Sequence, residues 1–470
     1  MSKKVLLINP PSGLYRRDDR CQSKVEDQTV RVIFPPIDLA YLASVARSVG
    51  WEAKIGDYPS FNADMSTLEN DLKSFSPDIV LFNVTTATID KDLEVCKTAK
   101  TIIPNVKTIA KGDYLNEKWQ AVLENNPELD ICIHLEPEDT FKEILEGNSL
   151  SEIQGISYRD VQKPVRNPDR PFIENLDSIP LPSRDLLNNE LYRSPETGRK
   201  ITVINGSKGC PSRCIFCPAR KVAGAKIRLR STDNILSELK ECVEKYGIID
   251  FLFNGDTFTW DKEWVVDLCR KIVDAGLKIR WGCNSRVDTI DKERLEWMMK
   301  AGCWVVAFGI ESGDEEILKK MKKGTSLEKI RNAIKTCKEV GIKTHSFYII
   351  GLPWETKESL EKTYNFAKEL DTDFFDFNIA YPLLGTELYD IVQENNLFEI
   401  KDANITSYAS AAARTFALSN EELDKARRKM LLKLYLRPKY ILRTIRNAGS
   451  LPVLKNYLKA AYLRFLSLIK

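Results

Sequence analysis

Gly209-Cys210-Pro211-Ser212-Arg213-Cys214-Ile215-Phe216-Cys217-Pro218 puts three cysteines into one short stretch, directly after an apolar run at Thr202-Asn205. A loop of this kind, leaving the end of a strand, can present three thiolates to three irons of a [4Fe-4S] cluster and leave the fourth iron open to an outside ligand. A tetrahedral zinc site needs a fourth donor, and the only histidines, His134 and His345, are far away in sequence. Spacing alone leaves structural zinc as the alternative.

Downstream of this loop, short apolar runs recur near Phe251-Phe253, Ile279-Trp281, Val305-Phe308, Ser346-Ile350 and Phe374-Ile379. Helical periodicities lie between them at Ile235-Tyr246, Glu263-Ala275, Lys292-Ala301, Leu327-Val340 and Lys357-Leu370. Six strands alternating with helices predict an incomplete parallel α/β barrel. Asp256, Arg286 and Glu311 each follow a strand, which places them at the C-terminal mouth together with the cysteine loop.

Upstream the same rhythm runs through Val5-Ile8, Ala53-Ile55, Ile79-Asn83, Val106-Ala110 and Ile131-His134, with helices near Leu39-Val49, Met65-Phe75, Ile89-Ala99 and Glu117-Glu124. This pattern predicts an open parallel sheet with Gly56-Asp57, Thr85-Thr86 and Lys111-Gly112-Asp113 on its ligand-binding edge. Asn9-Pro10-Pro11-Ser12-Gly13 is not a Gly-x-Gly-x-x-Gly turn, so NAD is a poor candidate. Six prolines between 162 and 198 mark a connector. The resulting division is 1–160, an α/β domain; 161–198, the connector; 199–395, the partial barrel; and 396–470, a mainly helical region.

At 470 residues the chain is long enough for two to four domains at roughly 100–200 residues each. Hydrophobic residues at 43% and charged residues at 29% are ordinary for a globular protein, and a net charge of +3 gives no general attraction for nucleic acid. The start, Met1-Ser2-Lys3-Lys4 before Val5-Leu6-Leu7-Ile8, has no long signal-like core, and no later stretch reaches the ~18 uncharged apolar residues of a membrane span. A cytoplasmic location is therefore expected. Of the eleven cysteines, those outside the 210–217 loop read as packed core thiols, with Cys21 in a polar loop after the first strand.

The Cys210-x3-Cys214-x2-Cys217 pattern resembles that of the radical S-adenosylmethionine (SAM) superfamily. The resemblance implies that these three cysteines hold a [4Fe-4S] cluster whose unique iron binds the methionine part of SAM. It also implies SAM contacts from Asp256, in Asn254-Gly255-Asp256 rather than the usual Gly-Gly-Glu form, and from Glu311 and Ser312, in Gly309-Ile310-Glu311-Ser312-Gly313. Arg286 is a candidate to neutralise the SAM carboxylate, a surface salt bridge being its alternative use. Gly351-Leu352-Pro353 and Pro382-Leu383-Leu384-Gly385-Thr386 look like loops that position ligand.

The N-terminal half narrows the likeness to the cobalamin-binding-domain subclass, through Asn9-Pro10-Pro11, Pro35-Pro36-Ile37-Asp38-Leu39-Ala40-Tyr41-Leu42-Ala43, Thr85-Thr86-Ala87-Thr88 and Glu136-Pro137-Glu138-Asp139-Thr140. One departure is clear: Asp57-Tyr58-Pro59-Ser60-Phe61 lacks the histidine of an Asp-x-His-x-x-Gly motif, which disfavours histidine ligation of cobalt more than cobalamin binding itself. Thr85, Thr86 and Gly112 are candidates to position that cofactor. The subclass implies a 5′-deoxyadenosyl radical, a low-potential electron donor, and cobalamin-dependent C-methylation of a hydrophobic small molecule or lipid. Radical cyclisation, oxidation or carbon–carbon bond formation is the enzymatic alternative, and an iron-sulfur or cobalamin-binding regulatory or structural protein is the non-enzymatic one.

From Lys425 to Lys470 there are thirteen Lys or Arg residues and no Asp or Glu. Leu454, Tyr457, Leu458, Ala461, Tyr462, Phe465 and Ile469 recur at helical steps, with Lys455 and Lys459 on another face. Such a helix fits a peripheral position on an anionic membrane surface, packing over the barrel, or, less well, an RNA-facing role.

Overall fold

Alternating side chains of the first strands go to opposite faces, and both faces are covered. In the computed structural model, which describes residues 3–17, 22, 24–25, 31–161, 163–399, 408–448 and 450–469, β1 (Lys4–Asn9) sends Val5 and Leu7 to one side and Leu6 and Ile8 to the other. β2 (Glu52–Asp57), β3 (Ile79–Asn83), β4 (Lys107–Lys111) and β5 (Ile131–Ile133) complete a parallel sheet in the order β2-β1-β3-β4-β5. α1 (Ile37–Ser48) and α5 (Glu138–Glu146) pack on one face. α2 (Met65–Phe75), α3 (Ile89–Ile102) and α4 (Tyr114–Asn125) cover the other. Burial on both faces is why these strands read as nearly continuous apolar runs.

The proline-rich stretch begins as sheet. β6 (Ile156–Asp160) and β7 (Lys163–Arg166) form an antiparallel hairpin that extends the first sheet past β5, with Pro164 tolerated because β7 is the edge strand. The remainder is an ordered strap tied to both sides. Ser44 Oγ donates to the Leu181 carbonyl at 2.6 Å, the Tyr192 hydroxyl donates to Asp57 at 2.8 Å, and the buried Arg184 pairs with Glu238 at 2.5 Å.

The second sheet holds six parallel strands in the order β15-β14-β13-β12-β11-β8: β8 (Ile201–Asn205), β11 (Asp250–Asn254), β12 (Arg280–Ser285), β13 (Cys303–Glu311), β14 (Lys343–Ile350) and β15 (Phe374–Ile379). A small ladder of β9 (Ser207–Lys208) and β10 (Arg228–Leu229) flanks the cysteine loop, with the one-turn α6 (Ala219–Val222) between them. The outer layer is α7 (Thr232–Tyr246), α8 (Lys262–Asp274), α9 (Lys292–Lys300), α10 (Glu315–Lys320), α11 (Leu327–Val340), α12 (Lys357–Leu370) and α13 (Glu387–Glu394). The longer helices start at side chains that cap them: Ser231, Asp261, Asp291, Ser326 and Thr356 each accept a hydrogen bond from the first turn. Cys242, Cys269, Cys283, Cys303 and Cys337 are buried core thiols of this unit, as Cys96 and Cys132 are of the first; Cys21 lies outside the described residues.

Three further helices follow, α14 (Asn420–Tyr435), α15 (Pro438–Asn447) and α16 (Leu451–Ile469). α14 lies on the edge strand, where Arg427 Nε donates to the Phe377 carbonyl at 2.6 Å. α16 runs under the N-terminal ends of the barrel strands. There Asn456 donates to the Glu196 carbonyl at 2.8 Å, the Tyr457 hydroxyl bonds the Glu196 carboxylate, and Arg280 and Lys343, the first residues of β12 and β14, pair with that same carboxylate. The Arg280 guanidinium also stacks 3.5 Å from the Trp304 ring.

Candidate active site between the two sheets

The cysteine loop leaves β8 at the strand's C-terminal end, as expected. Gly209 has φ of +95°, and a Cβ there would lie 2.0 Å from the Lys226 carbonyl oxygen, so only glycine fits this turn. The Gly209 N–H donates to Asp256 Oδ2 at 2.7 Å, the Cys210 N–H to the Gly224 carbonyl at 2.9 Å and the Ile215 N–H to the Met321 carbonyl at 3.2 Å. Asp256 therefore reaches the loop itself from the end of β11. Cys210 is buried while Cys214 and Cys217 are half-buried. Among the described residues no three His, Cys, Asp or Glu side chains converge on one point as a single ion requires. Three thiols in one loop with no histidine nearby are a donor set that fits three irons of a larger cluster, each thiol taking one.

Burial pushes the Cys214 thiol up, while the neighbouring Lys323 ammonium and Arg286 guanidinium pull it down. These cations belong to a compact polar group. Glu311, the last residue of β13, adopts φ of +68° and pairs with Lys323 at 2.6 Å, both side chains being almost fully buried. Arg286 binds Asp288 through two hydrogen bonds, at 2.9 and 2.8 Å, and donates to the Lys323 carbonyl at 2.8 Å. Its salt-bridge role is thus real, yet it also lies beside the thiols. Gly309 makes this packing possible: a Cβ there would sit 2.2 Å from Glu311 Oε1 and 2.7 Å from Lys323 Nζ. Lys323 escapes a sequence reading because Lys319, Lys320, Lys322 and Lys323 look like a solvated basic run.

Ser312 does not join this group. Its hydroxyl is fully buried, lies 3.1 Å from Thr363 Oγ1 on α12 and accepts from the Asp314 N–H, so it supports the start of α10 instead. The Gly351 and Leu352 N–H groups both donate to the buried carboxyl of Glu355, at 2.5 and 3.0 Å, and Thr386 caps α13.

On the first sheet, a hydrogen-bonded ladder crosses the C-terminal strand ends. Tyr192 donates to Asp57, Asn9 to Asp57 at 2.8 Å, Asn83 to Asn9 and to Asp38 at 2.8 Å each, and Lys111 pairs with Asp38 at 2.7 Å. Burial raises the Asp57 carboxyl; for Asp38 burial acts the same way and is the largest single influence, but Lys111, Asn83 and the Leu39 N–H together outweigh it and hold the group below its ordinary range. The expected ligand edge is therefore polar, but Thr85 does not contribute to it. Thr85 Oγ1 bonds Thr88 at 2.7 Å, and the Thr85 N–H and Thr88 hydroxyl both reach the buried Asp92, which also pairs with Arg17 at 3.0 Å. The Thr86 N–H donates to Gln22 at 2.8 Å. Gly112, at φ +150°, is required because a Cβ would sit 2.2 Å from the Val84 carbonyl oxygen. Thr85 is thus held by its own loop and Gly112 by close packing, while for Thr86 it is the backbone N–H that is engaged.

The two edges face each other. A cavity of about 280 Å³ is lined from one side by Asn9, Asp38, Asp57 and Lys111 and from the other by Asn205, Ser207, Lys208, Asn254 and Asp256. Charged contacts bind its walls together: Arg228 clasps Glu136 through two 2.8 Å bonds, Lys208 pairs with Glu138 at 2.8 Å, and Arg230 donates to the Tyr41 hydroxyl at 3.1 Å. Ser207 Oγ and Glu138 Oε2 are buried in this lining with no hydrogen-bond partner. A wall with unsatisfied polar atoms suits a large polar ligand such as cobalamin.

Comparison with known proteins agrees with this geometry. Residues 204–367 match the Radical SAM superfamily model and residues 24–145 the B12 binding domain model. An uncharacterised methyltransferase of Pyrococcus horikoshii is 34% identical over 446 residues, 94% of each chain. The cytidylyl-2-hydroxyethylphosphonate methyltransferase of Streptomyces wedmorensis is 29% identical, covering 82% of this chain and 81% of its own. The hopanoid C-3 methylase of Methylococcus capsulatus is 26% identical, over 78% and 72% respectively. In fold, the cobalamin-dependent SAM radical enzyme OxsB superposes with a TM-score of 0.76 at 19% identity, covering all of this chain and 72% of that one. With its cluster loop at a barrel mouth, a polar sheet edge facing it and a relative of this identity along almost its whole length, the chain belongs to the cobalamin-binding-domain subclass of radical SAM enzymes.

Proposed function

We propose that this radical SAM enzyme methylates carbon, in a cobalamin-dependent reaction, on a hydrophobic small molecule or lipid. The observation that carries the reading is the shared cavity, which sets Ser207, Lys208 and Asp256, the residues beside the cysteine loop, against the ligand edge of the other sheet. When bound, the cluster supplies an electron for reductive cleavage of SAM, and cobalamin supplies a transferable methyl group. The chain's own groups bind and orient. Cys210, Cys214 and Cys217 would hold the cluster, Asp256 anchors its loop, and Arg286 with the Glu311–Lys323 pair would meet the charged amino-acid part of SAM. A low-potential donor outside this chain completes the electron supply.

Support for methylation comes from the three relatives named above, which are methyltransferases or methylases, whereas two anaerobic magnesium-protoporphyrin IX monomethyl ester cyclases, 26% and 25% identical, support cyclisation as the second reading. Support for an apolar substrate comes from the hopanoid C-3 methylase and a hopanoid C-2 methylase of Rhodopseudomonas palustris, 25% identical over 57% of this chain, while the name of the phosphonate methyltransferase points to a polar one. The test is anaerobic turnover with methyl-labelled SAM, cobalamin, reductant and the lipid and metabolite extracts of cluster-defective cells. Label in an isolated product, alongside 5′-deoxyadenosine, is expected. An unlabelled cyclised or oxidised product would overturn methylation, and labelling confined to polar metabolites would overturn the apolar substrate.

A further inference from the structure

We infer that α15 and α16 form a docking surface for an anionic lipid bilayer, placed at the barrel end away from the cofactors. On α16, Asn456 and Tyr457 are turned to Glu196 beneath the barrel. Tyr457 thus leaves the apolar stripe in which its sequence spacing placed it. Leu451, Leu458, Tyr462 and Phe465 follow one another at steps of seven, four and three and lie on the opposite, solvent-facing side, with Leu458 60% and Tyr462 63% exposed. Lys455 and Lys459 flank this stripe. α15 adds Ile441, Leu442 and Ile445, Leu442 being 67% exposed.

So many large apolar side chains on adjoining helices need a cover. Charge selects which one. Arg437, Lys439 and Arg443 are tied to Asp371, whereas Arg446, Lys455 and Lys459 have no acidic partner among the described residues, and the chain carries no Asp or Glu after residue 424. Two copies meeting through this face would bring cations against cations without a counter-charge. RNA would answer the cations but offers nothing in which to bury leucine and phenylalanine. A bilayer with anionic headgroups answers both, the rings and aliphatic groups entering the acyl boundary while Lys and Arg stay at headgroup level. Among the described residues no helix is long and apolar enough to cross a membrane, so the contact is interfacial.

The inference does not depend on the methylation reading and is tested without a substrate. Full-length protein with reconstituted cluster is sedimented with vesicles of phosphatidylcholine alone or of phosphatidylcholine containing a third phosphatidylglycerol, at low and high salt. Binding to the anionic vesicles that weakens with salt is expected, together with at least about tenfold weaker binding by Leu442→Glu/Leu458→Glu and by Lys455→Glu/Lys459→Glu. SAM cleavage by these variants should match that of the unaltered chain, because none of the four residues touches the cavity. Equal binding to both vesicle types, no binding to either, or full binding by the variants overturns the inference. A dimer dispersed by Leu442→Glu/Leu458→Glu without vesicle binding assigns the face to a second copy, and retention by RNA but not vesicles assigns it to nucleic acid; either result also overturns it.

Discussion

The two ends of one barrel are built to opposite specifications. At the floor, Glu196 is enclosed by Arg280, Lys343, Tyr457 and Asn456, so every charge has a partner and a helix closes the opening. At the mouth, glycines clear space around Glu311 and the cysteine loop, a residue at the end of β13 holds a positive φ, and buried polar atoms at Ser207 and Glu138 are left without partners. Satisfied groups make a wall, whereas strained and unsatisfied ones make a receptor.

The largest effect should come from the mouth. Cys210→Ala, Cys214→Ala or Cys217→Ala should reduce iron and sulfide content sharply and bring 5′-deoxyadenosine formation to background, while circular dichroism stays close to that of the unaltered chain. Retention of the cluster by any one of them would break the assignment of that thiol.

Gly309→Ala sharpens the claim that space, not charge, sets Glu311. The added methyl collides with the Glu311 carboxylate and the Lys323 ammonium, and SAM cleavage should fall roughly a hundredfold with iron content unchanged. Normal cleavage would show that the pair does not serve the cofactor.

Glu355, behind the mouth, tests burial through pH. Its carboxyl is pushed up to about 8 by desolvation, against an ordinary value of 4.5, so the folded chain favours the protonated form. That stabilising contribution is complete below pH 4.5 and is lost as pH rises towards 8. Glu355→Gln should flatten the fall in denaturation midpoint across this window, a change on the order of a few kcal/mol. An unchanged slope would mean that the carboxyl is ionised where it sits.

The smallest effect is expected at the floor. Glu196→Gln weakens the contacts of an enclosed carboxylate to two largely buried cations and should cost about 1–3 kcal/mol of stability, read as a drop in thermal midpoint, with SAM cleavage by the folded protein preserved. Loss of cleavage at full stability would end the division between the two ends.

Much of this architecture is legible in the chain because local and global signals agree. Helices at Met65–Phe75, Leu327–Val340 and Lys357–Leu370 match their apolar periodicity residue for residue, since a capping Asp, Ser or Thr marks each start. The hairpin at 156–166 is not legible, because Arg159, Asp160, Lys163 and Pro164 give a polar edge no apolar alternation. At the site, the thiols announce themselves by spacing and Asp256, Arg286 and Glu311 by position after strands. Lys323 is hidden because its burial is a tertiary fact. Thr85 misleads for the complementary reason: a hydroxyl after a strand looks available until Asp92, seven residues on, claims its neighbourhood.

The fastening of α16 to Glu196 also bears on the order in which the molecule is assembled. Asn456 and Glu196 are separated by 260 residues, so during synthesis this contact can form only after α16 has left the ribosome. Until then Glu196 lacks its contacts to Asn456 and Tyr457. A chain truncated before α16 would therefore keep its cysteine loop and leave the Glu196 carboxylate to Arg280 and Lys343 alone.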